Sequence, residues 1–163
     1  MRLIKPSIEI LEQGSGIQGI YKQIERAGRT CYKSENLITE DSAEKFVNMI
    51  KDRQHTAMLE HGTVYLKCAT VYENPYIHPE DGEENPVNPL YKYDDNMFST
   101  IVEDNDCVYI TTNYRVLYEN NWLDDLQYLC EPTEYHEKRI TVKFICDRGI
   151  SHEFVRHKIL CVA

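Results

Sequence analysis

The stretch RITVKFICDRGISHEFVRHKILCVA, residues 139–163, predicts a strand that runs directly into a helix. Apolar and polar residues alternate over 139–146, and a period of two is typical of a half-buried β-strand. One face of this strand carries Ile140, Val142, Phe144 and Cys146. Asp147 follows, where its carboxylate can accept hydrogen bonds from the first amides of a helix that begins near Arg148.

The helix after Asp147 combines an apolar side with a row of basic groups. Helical spacing places Arg148, His152 and Arg156 along one stripe, and Ile150 and Phe154 along another. A basic row suits a phosphate or a charged heterocycle. It also suits a solvated helix end, because cationic side chains complement the dipole there. From these residues alone, the solvated helix end is favoured.

Two more helices are predicted in the first third of the chain. Apolar residues recur at helical spacing from Ile17 to Ala27, and Gly28 is expected to end that helix. The second helix begins after Asp41, and Glu44 three residues later predicts a capping box. Its apolar stripe consists of Ala43, Phe46, Val47 and Ile50.

The remaining elements complete an α+β pattern. Strands are predicted over 8–11, 63–71 and 107–112, and two short helices over 113–119 and 122–129, separated at Asn120-Asn121. We therefore expect an α+β fold in which helices cover an antiparallel sheet, with residues 1–163 forming a single domain.

The middle of the chain has a different composition. Residues 72–106 hold four of the six prolines and many acidic side chains, which predicts a long solvated loop or flap outside the core. We expect a long acidic insertion over about 72–136.

Overall composition excludes several classes of protein. The 163 residues carry a formal net charge of -9, which disfavours general nucleic-acid binding because phosphate backbones require a broad basic face. No apolar run is long enough to span a membrane.

Without a C-x-x-C pair or an export signal, a cytoplasmic protein with reduced, mostly buried thiols is expected. The six cysteines are Cys31, Cys68, Cys107, Cys130, Cys146 and Cys161.

The segment HTAMLEH, residues 55–61, does not fit a metal site. An H-x-x-E-H motif needs histidine at position 57, where Ala57 stands, and His55 and His61 are too far apart along a regular helix to share one ion. No metal site is predicted. His55 alone is either a half-buried turn residue or a polar contact to a ligand, and the turn residue is the commoner case.

Three blocks in this order resemble the flavin-dependent thymidylate synthases: GRTCY at 28–32, HTAMLEH leading into a strand, and SHEFVRHK at 151–158. Arg156 and His157 match the start of the family's R-H-R signature, Lys158 replaces its third member, and Cys161 stands at its serine position. The order and spacing of the blocks make the resemblance specific. Since the chain ends at Ala163, within the signature, a C-terminally truncated member is expected.

The resemblance implies reductive methylation of dUMP to dTMP. Methylenetetrahydrofolate would supply the carbon, and NADPH would reduce a bound FAD that delivers the hydride. No side chain attacks the uracil ring in this family, so no catalytic residue is assigned. The protein's part would be binding, orientation and electrostatics.

The resemblance also implies contacts residue by residue. Arg156, His157 and Lys158 would contact the flavin, as would His55, while Cys31 would be a polar neighbour of it. Glu153 and Arg156 would contact dUMP. The family is homotetrameric, and we expect this chain to assemble incompletely and to lack turnover on its own.

Two alternatives belong to other classes. One is a non-catalytic remnant that binds flavin or nucleotide. The other is an interaction protein whose contact surface is the acidic, tyrosine-rich insertion, although acidic loops are more often simply solvated.

Overall fold

A computed structural model describes residues 5–69, 88–104 and 107–155 and confirms the α+β class with antiparallel strands. The strands are β1 (Ser7–Leu11), β2 (Thr63–Ala69), β3 (Thr100–Asp104), β4 (Cys107–Asn113) and β5 (Thr141–Ile145). The α-helices are α1 (Gly16–Cys31), α2 (Ser42–Asp52), α3 (Tyr114–Glu119) and α4 (Arg148–Val155). Short 3-10 turns occupy Glu35–Leu37, Thr56–His61, Pro89–Tyr93 and Leu123–Tyr128.

The chain divides into two compact units. The first comprises Met1–Thr63 and Arg139–Ala163, and the second comprises Val64–Lys138. The single domain with an insertion over about 72–136 stays a prediction.

In the first unit, α1 and α2 pack together through the apolar stripe that the sequence predicts. Ala43, Phe46, Val47 and Ile50 of α2 are all buried, which confirms the stripe. The predicted end of α1 at Gly28 is wrong, since the helix continues to Cys31. Gly28 serves close packing instead, because a Cβ there would lie 2.5 Å from Cζ of Phe46.

A buried carboxylate also links α1 to α2. Glu25 is 1% exposed, and its Oε1 accepts a hydrogen bond from Nε of Arg29 at 3.2 Å. Its Oε2 lies 2.9 Å from the donating Oγ of Ser42, the first residue of α2. Both oxygens therefore have partners, as a carboxylate removed from water requires.

The two predicted helix caps have opposite outcomes. Asp147 accepts hydrogen bonds at Oδ1 from the amides of Gly149 (2.7 Å) and Ile150 (3.1 Å), so this cap is confirmed. The capping box at Asp41 is wrong, because Asp41 precedes α2 without a side-chain capping bond. Oγ of Ser42 instead accepts a bond from the amide of Thr39 at 2.8 Å, which orders the turn before the helix.

Strands β1 and β5 form a two-stranded antiparallel sheet with an exposed apolar face. Ile8 pairs with Phe144, and Ile10 pairs with Val142. Ile8 is 70% exposed and Ile10 65% exposed, whereas Phe154 of α4 lies against Phe144 with 4.8 Å between ring centroids. The predicted alternation is present, but it directs apolar side chains into solvent within this chain.

The second unit contains a three-stranded sheet in the order β2–β4–β3, with β3 antiparallel to β4. Leu90 and Tyr93 of the Pro89–Tyr93 turn are fully buried. The prediction of a solvated loop outside the core is therefore wrong for residues 88–104, which contain this turn and β3. The rest of the stretch predicted as a loop, 72–87 and 105–106, lies outside the described residues.

A buried polar group fixes the Pro89–Tyr93 turn. The hydroxyl of Tyr93 donates to Oδ2 of Asp125 at 2.7 Å, and Nζ of Lys92 lies 2.7 Å from the same oxygen. Burial, with the hydrogen bond to Asp125, raises the pKa of Tyr93 well above its usual range. Trp122 packs edge-on against the Tyr93 ring, 4.8 Å between centroids.

Gly28→Ala should lower the free energy of unfolding by roughly 1–3 kcal/mol, because the added methyl group overlaps the buried Phe46 ring. In an exposed helix interior the same change would raise stability by about 1 kcal/mol. Urea denaturation of Gly28→Ala, Phe46→Leu and the double variant measures the coupling. Once the ring is removed, Gly28→Ala should cost much less, and an equal cost in both backgrounds would contradict the steric explanation.

Candidate functional site

Two of the three sequence blocks meet at a contact between Tyr32 and His55. The Tyr32 hydroxyl lies 2.6 Å from Nδ1 of His55. The two rings are stacked, with centroids 6.3 Å apart and planes 22° apart. Both side chains are exposed. We call this contact the Tyr32–His55 pair, and it makes the surface of the first unit both aromatic and hydrogen-bonding at this point.

Tyr32 is placed by the end of α1. The amide of Ser34 donates to the carbonyl of Arg29 at 2.9 Å, and the amide of Lys33 donates to that of Thr30 at 3.2 Å. These bonds form a Schellman motif, which satisfies carbonyls that the helix end leaves unpaired. Lys33 occupies the left-handed position with φ of 52°.

His55 is placed in the same way by the end of α2. Its amide donates to the carbonyl of Ile50 at 3.1 Å, and the amide of Gln54 donates to that of Lys51 at 3.0 Å. Gln54 has φ of 57°. Left-handed backbone costs a non-glycine residue roughly 1–2 kcal/mol. Each helix end therefore carries a strain that glycine at the same position would avoid.

Phe46 and Arg29 support the pair from the side of the core. The Tyr32 ring meets the buried Phe46 ring edge-on, with centroids 6.4 Å apart. The guanidinium of Arg29 lies 4.7 Å from the centroid of Phe46 and is also bound to Glu25. A cation is therefore fixed on the same aromatic ring that supports Tyr32.

The other predicted site residues lie in different places. Cys31 is exposed and is the last residue of α1, next to Tyr32. Glu153 is exposed on α4, which belongs to the C-terminal segment of the first unit, whereas Cys31 and His55 belong to its N-terminal segment. Arg156, His157 and Lys158 lie outside the described residues. The structure thus brings Cys31 and His55 to one pair of helix ends.

The described cysteines are free thiols, as predicted, but the expectation that most are buried is wrong. Cys31 is exposed, and the other four described cysteines are only partly buried. The sixth, Cys161, lies outside the described residues. Within residues 5–69, 88–104 and 107–155, no group of three or more His, Cys, Asp or Glu side chains is placed to hold a metal ion.

Sequence reasoning missed a buried histidine in the second unit. His136 is 7% exposed, and its ring lies between Tyr65 and Tyr109, with centroid distances of 5.2 and 5.4 Å. Nδ1 lies 3.0 Å from the donating amide of Thr133, and Nε2 lies 3.1 Å from the carbonyl oxygen of Leu66. His136 is therefore a neutral imidazole that donates from Nε2.

Cys130 lies near this histidine, with Sγ 3.9 Å from Nε2 of His136. A Cys-His pair can form a nucleophile when the histidine accepts the thiol proton. Here Nε2 already donates to Leu66, and burial raises the pKa of the Cys130 thiol. The pair is therefore structural, and the Tyr32–His55 pair remains the candidate site.

No family model, curated protein or solved structure matches this chain. Among the helices in the described part of the chain, none combines the length and the apolar character that a membrane crossing requires.

Replacing the two strained residues should stabilise the protein. Lys33→Gly and Gln54→Gly should each raise the free energy of unfolding by about 1 kcal/mol, because glycine adopts positive φ without steric cost. Lys22→Gly, at an exposed position within α1, is the control and should lower it by about 1 kcal/mol. Urea denaturation measures all three, and destabilisation by the first two changes would contradict the left-handed conformations.

Stability should fall on mild acidification because of His136. Burial lowers the pKa of His136, so the unfolded chain takes up the proton more readily than the folded one. The free energy of unfolding should therefore decrease as pH falls below about 6.5, by up to about 1 kcal/mol over one pH unit. Urea denaturation at several pH values should show a shallower dependence for His136→Gln, and an identical dependence would contradict this assignment.

Proposed function

We infer that this chain binds flavin as a member of the flavin-dependent thymidylate synthases, whose reaction methylates dUMP to dTMP. The observation that carries the inference is the Tyr32–His55 pair. Two blocks that resemble this family, 23 residues apart between Tyr32 and His55, lie in hydrogen-bonding contact. The third block lies on α4 and in the residues that follow it.

The residues at the pair fit a flavin. An isoalloxazine ring is planar and has hydrogen-bonding edges, and FAD adds two phosphates. His55 offers an exposed imidazole, Tyr32 is a 43% exposed aromatic ring, and Arg29 provides a nearby fixed cation. A planar ligand with polar edges can use both kinds of contact. When bound, FAD reduced by NADPH supplies the hydride in the methylation.

The protein's own groups would bind and orient the ligands. We propose that His55, Cys31, Arg156, His157 and Lys158 hold the flavin. Arg156 can offer a two-pronged donor and Lys158 a point charge, which suit phosphate groups on a chain of net charge -9.

Glu153 and Arg156 are proposed to contact dUMP, and methylenetetrahydrofolate is the proposed carbon donor. The exposed position of Glu153 on α4 leaves its carboxylate accessible to a ligand. An ionised carboxylate accepts hydrogen bonds and has none to donate, so it would bind donor groups such as the ring N–H or the sugar hydroxyls.

Assembly and location complete the proposal. The family is homotetrameric, and we propose that this chain associates, incompletely, through the exposed apolar face around Ile8, Ile10 and Phe144, because exposed apolar clusters mark interaction surfaces. Free thiols at five described cysteines suit a reducing compartment, and we propose the cytoplasm.

Flavin binding is the direct test. Titration of the purified protein with FAD, followed by quenching of flavin fluorescence, should show saturable binding. His55→Ala and Arg156→Ala should each weaken binding by about 1–3 kcal/mol, the range for a lost hydrogen bond to a charged or buried group. Arg115→Ala, which removes a cation from α3 in the second unit, is the control and should leave the affinity unchanged. Equal affinities in all variants would contradict the proposed site.

Turnover distinguishes the enzyme from a binding protein. The assay combines dUMP, methylenetetrahydrofolate, NADPH and FAD, and product dTMP is measured by chromatography. Product that depends on all four components supports the synthase. FAD binding without product is the result expected for this chain on its own, and it is also what the alternative, a non-catalytic flavin- or nucleotide-binding protein, predicts.

A further inference from the structure

We propose that Tyr32 is a positioning residue that fixes the His55 imidazole in the tautomer with its proton on Nε2. The proposal rests on the proposed flavin site for its functional meaning, whereas its chemical claim rests on the Tyr32–His55 pair alone. The Tyr32 hydroxyl lies 2.6 Å from Nδ1. A phenol is a good donor and a neutral imidazole nitrogen is a good acceptor, so the bond runs from Tyr32 to Nδ1.

The hydrogen bond at one ring nitrogen decides what the other can do. If Nδ1 accepts from Tyr32, Nε2 of the neutral ring carries the proton and becomes a donor. An exposed donor at Nε2 matches acceptors such as the flavin carbonyl oxygens and ring nitrogens. Without Tyr32, the neutral ring divides between two tautomers, and only one of them presents that donor.

The surroundings hold both partners in place. Tyr32 packs on Phe46 through its ring edge, and the Schellman motif at the end of α1 fixes its backbone. His55 is the second residue past Arg53, the C-cap of α2, and its own amide closes the motif at that helix end. The backbone of both residues is therefore fixed, and the hydrogen bond has only side-chain rotations left to order, which favours a positioning contact.

Imidazole nitrogen NMR tests the tautomer without any ligand. In 15N-labelled protein at about pH 8, the long-range 1H–15N spectrum should show His55 with an unprotonated Nδ1 and a protonated Nε2. In Tyr32→Phe, which keeps the ring on Phe46 but removes the hydroxyl, both nitrogens should shift towards the averaged values of a tautomer mixture. Tyr128→Phe, a hydroxyl removed from the second unit, should leave the parent pattern. A protonated Nδ1 in the parent, or no change in Tyr32→Phe, would overturn the proposal.

Flavin affinity tests the functional meaning. Tyr32→Phe should weaken FAD binding about twofold, equivalent to about 0.4 kcal/mol, because an even division between two tautomers halves the fraction that presents the donor, while Tyr128→Phe leaves the affinity unchanged. The amide nitrogen of glutamine can occupy the position of Nε2, whereas that of asparagine reaches only the position of Nδ1. His55→Gln should therefore retain more affinity than His55→Asn. Equal affinity of Tyr32→Phe and parent, or a ranking in which His55→Asn binds better, would overturn the positioning role.

The two measurements separate the two claims. If the parent binds no FAD, the proposed function fails, and the nitrogen spectra still decide whether Tyr32 sets the tautomer. Far-UV circular dichroism and the amide spectrum of the first unit away from the substituted residue establish that each variant is folded. A folded Tyr32→Phe with the parent's His55 spectrum contradicts the proposal whatever the flavin result.

Discussion

The close approach of the Phe46 ring to Gly28 is the constraint on which the first unit depends. A Cβ at residue 28 would overlap the ring, so only glycine lets α1 and α2 pack at this distance. The same ring supports the guanidinium of Arg29 and the edge of Tyr32. Because α1 and α2 are packed in this way, their C-terminal ends lie together, and His55 comes within hydrogen-bonding distance of Tyr32.

The proposed chemistry follows from that packing. Two helix ends close with Schellman motifs through Lys33 and Gln54, both non-glycine residues with positive φ. An aromatic ring and an imidazole are thereby held at a surface by backbone geometry as well as by side-chain packing. The buried carboxylate of Glu25, bound to Arg29 and Ser42, joins the same two helices below this surface. A preorganised site of this kind suits a protein whose part in a reaction is to orient a cofactor.

Periodicity predicts much of the fold, because it reflects which face of an element is buried. The α2 stripe, the strands over 107–112 and 139–146, and the Asp147 cap follow from local patterns and are present. The prediction that Gly28 ends α1 is wrong because the role of this glycine depends on the Phe46 ring, which is 18 residues away in the sequence. The burial of Leu90 and Tyr93 is missed because the surrounding sequence is rich in proline and acidic residues. The hydroxyl of Tyr93 is bound by Asp125, which is 32 residues away in the sequence.

The candidate site is harder to predict for the same reason. His55 and Cys31 follow from the resemblance, but no local pattern pairs Tyr32 with His55. The left-handed positions are occupied by Lys33 and Gln54, whereas glycine is the usual residue there. The sequence therefore gives no indication of the two Schellman motifs. His136 is isolated in the sequence, and its role depends on Thr133, Leu66 and two tyrosine rings.

Mapping of amide chemical shifts during a titration with FAD tests whether the ends of α1 and α2 form a flavin site. Saturable shifts should be concentrated at residues 29–34 and 53–56, with the β3–β4 hairpin of the second unit unchanged. Saturable shifts confined to the second unit, or a spectrum unaffected by excess FAD, would contradict this expectation.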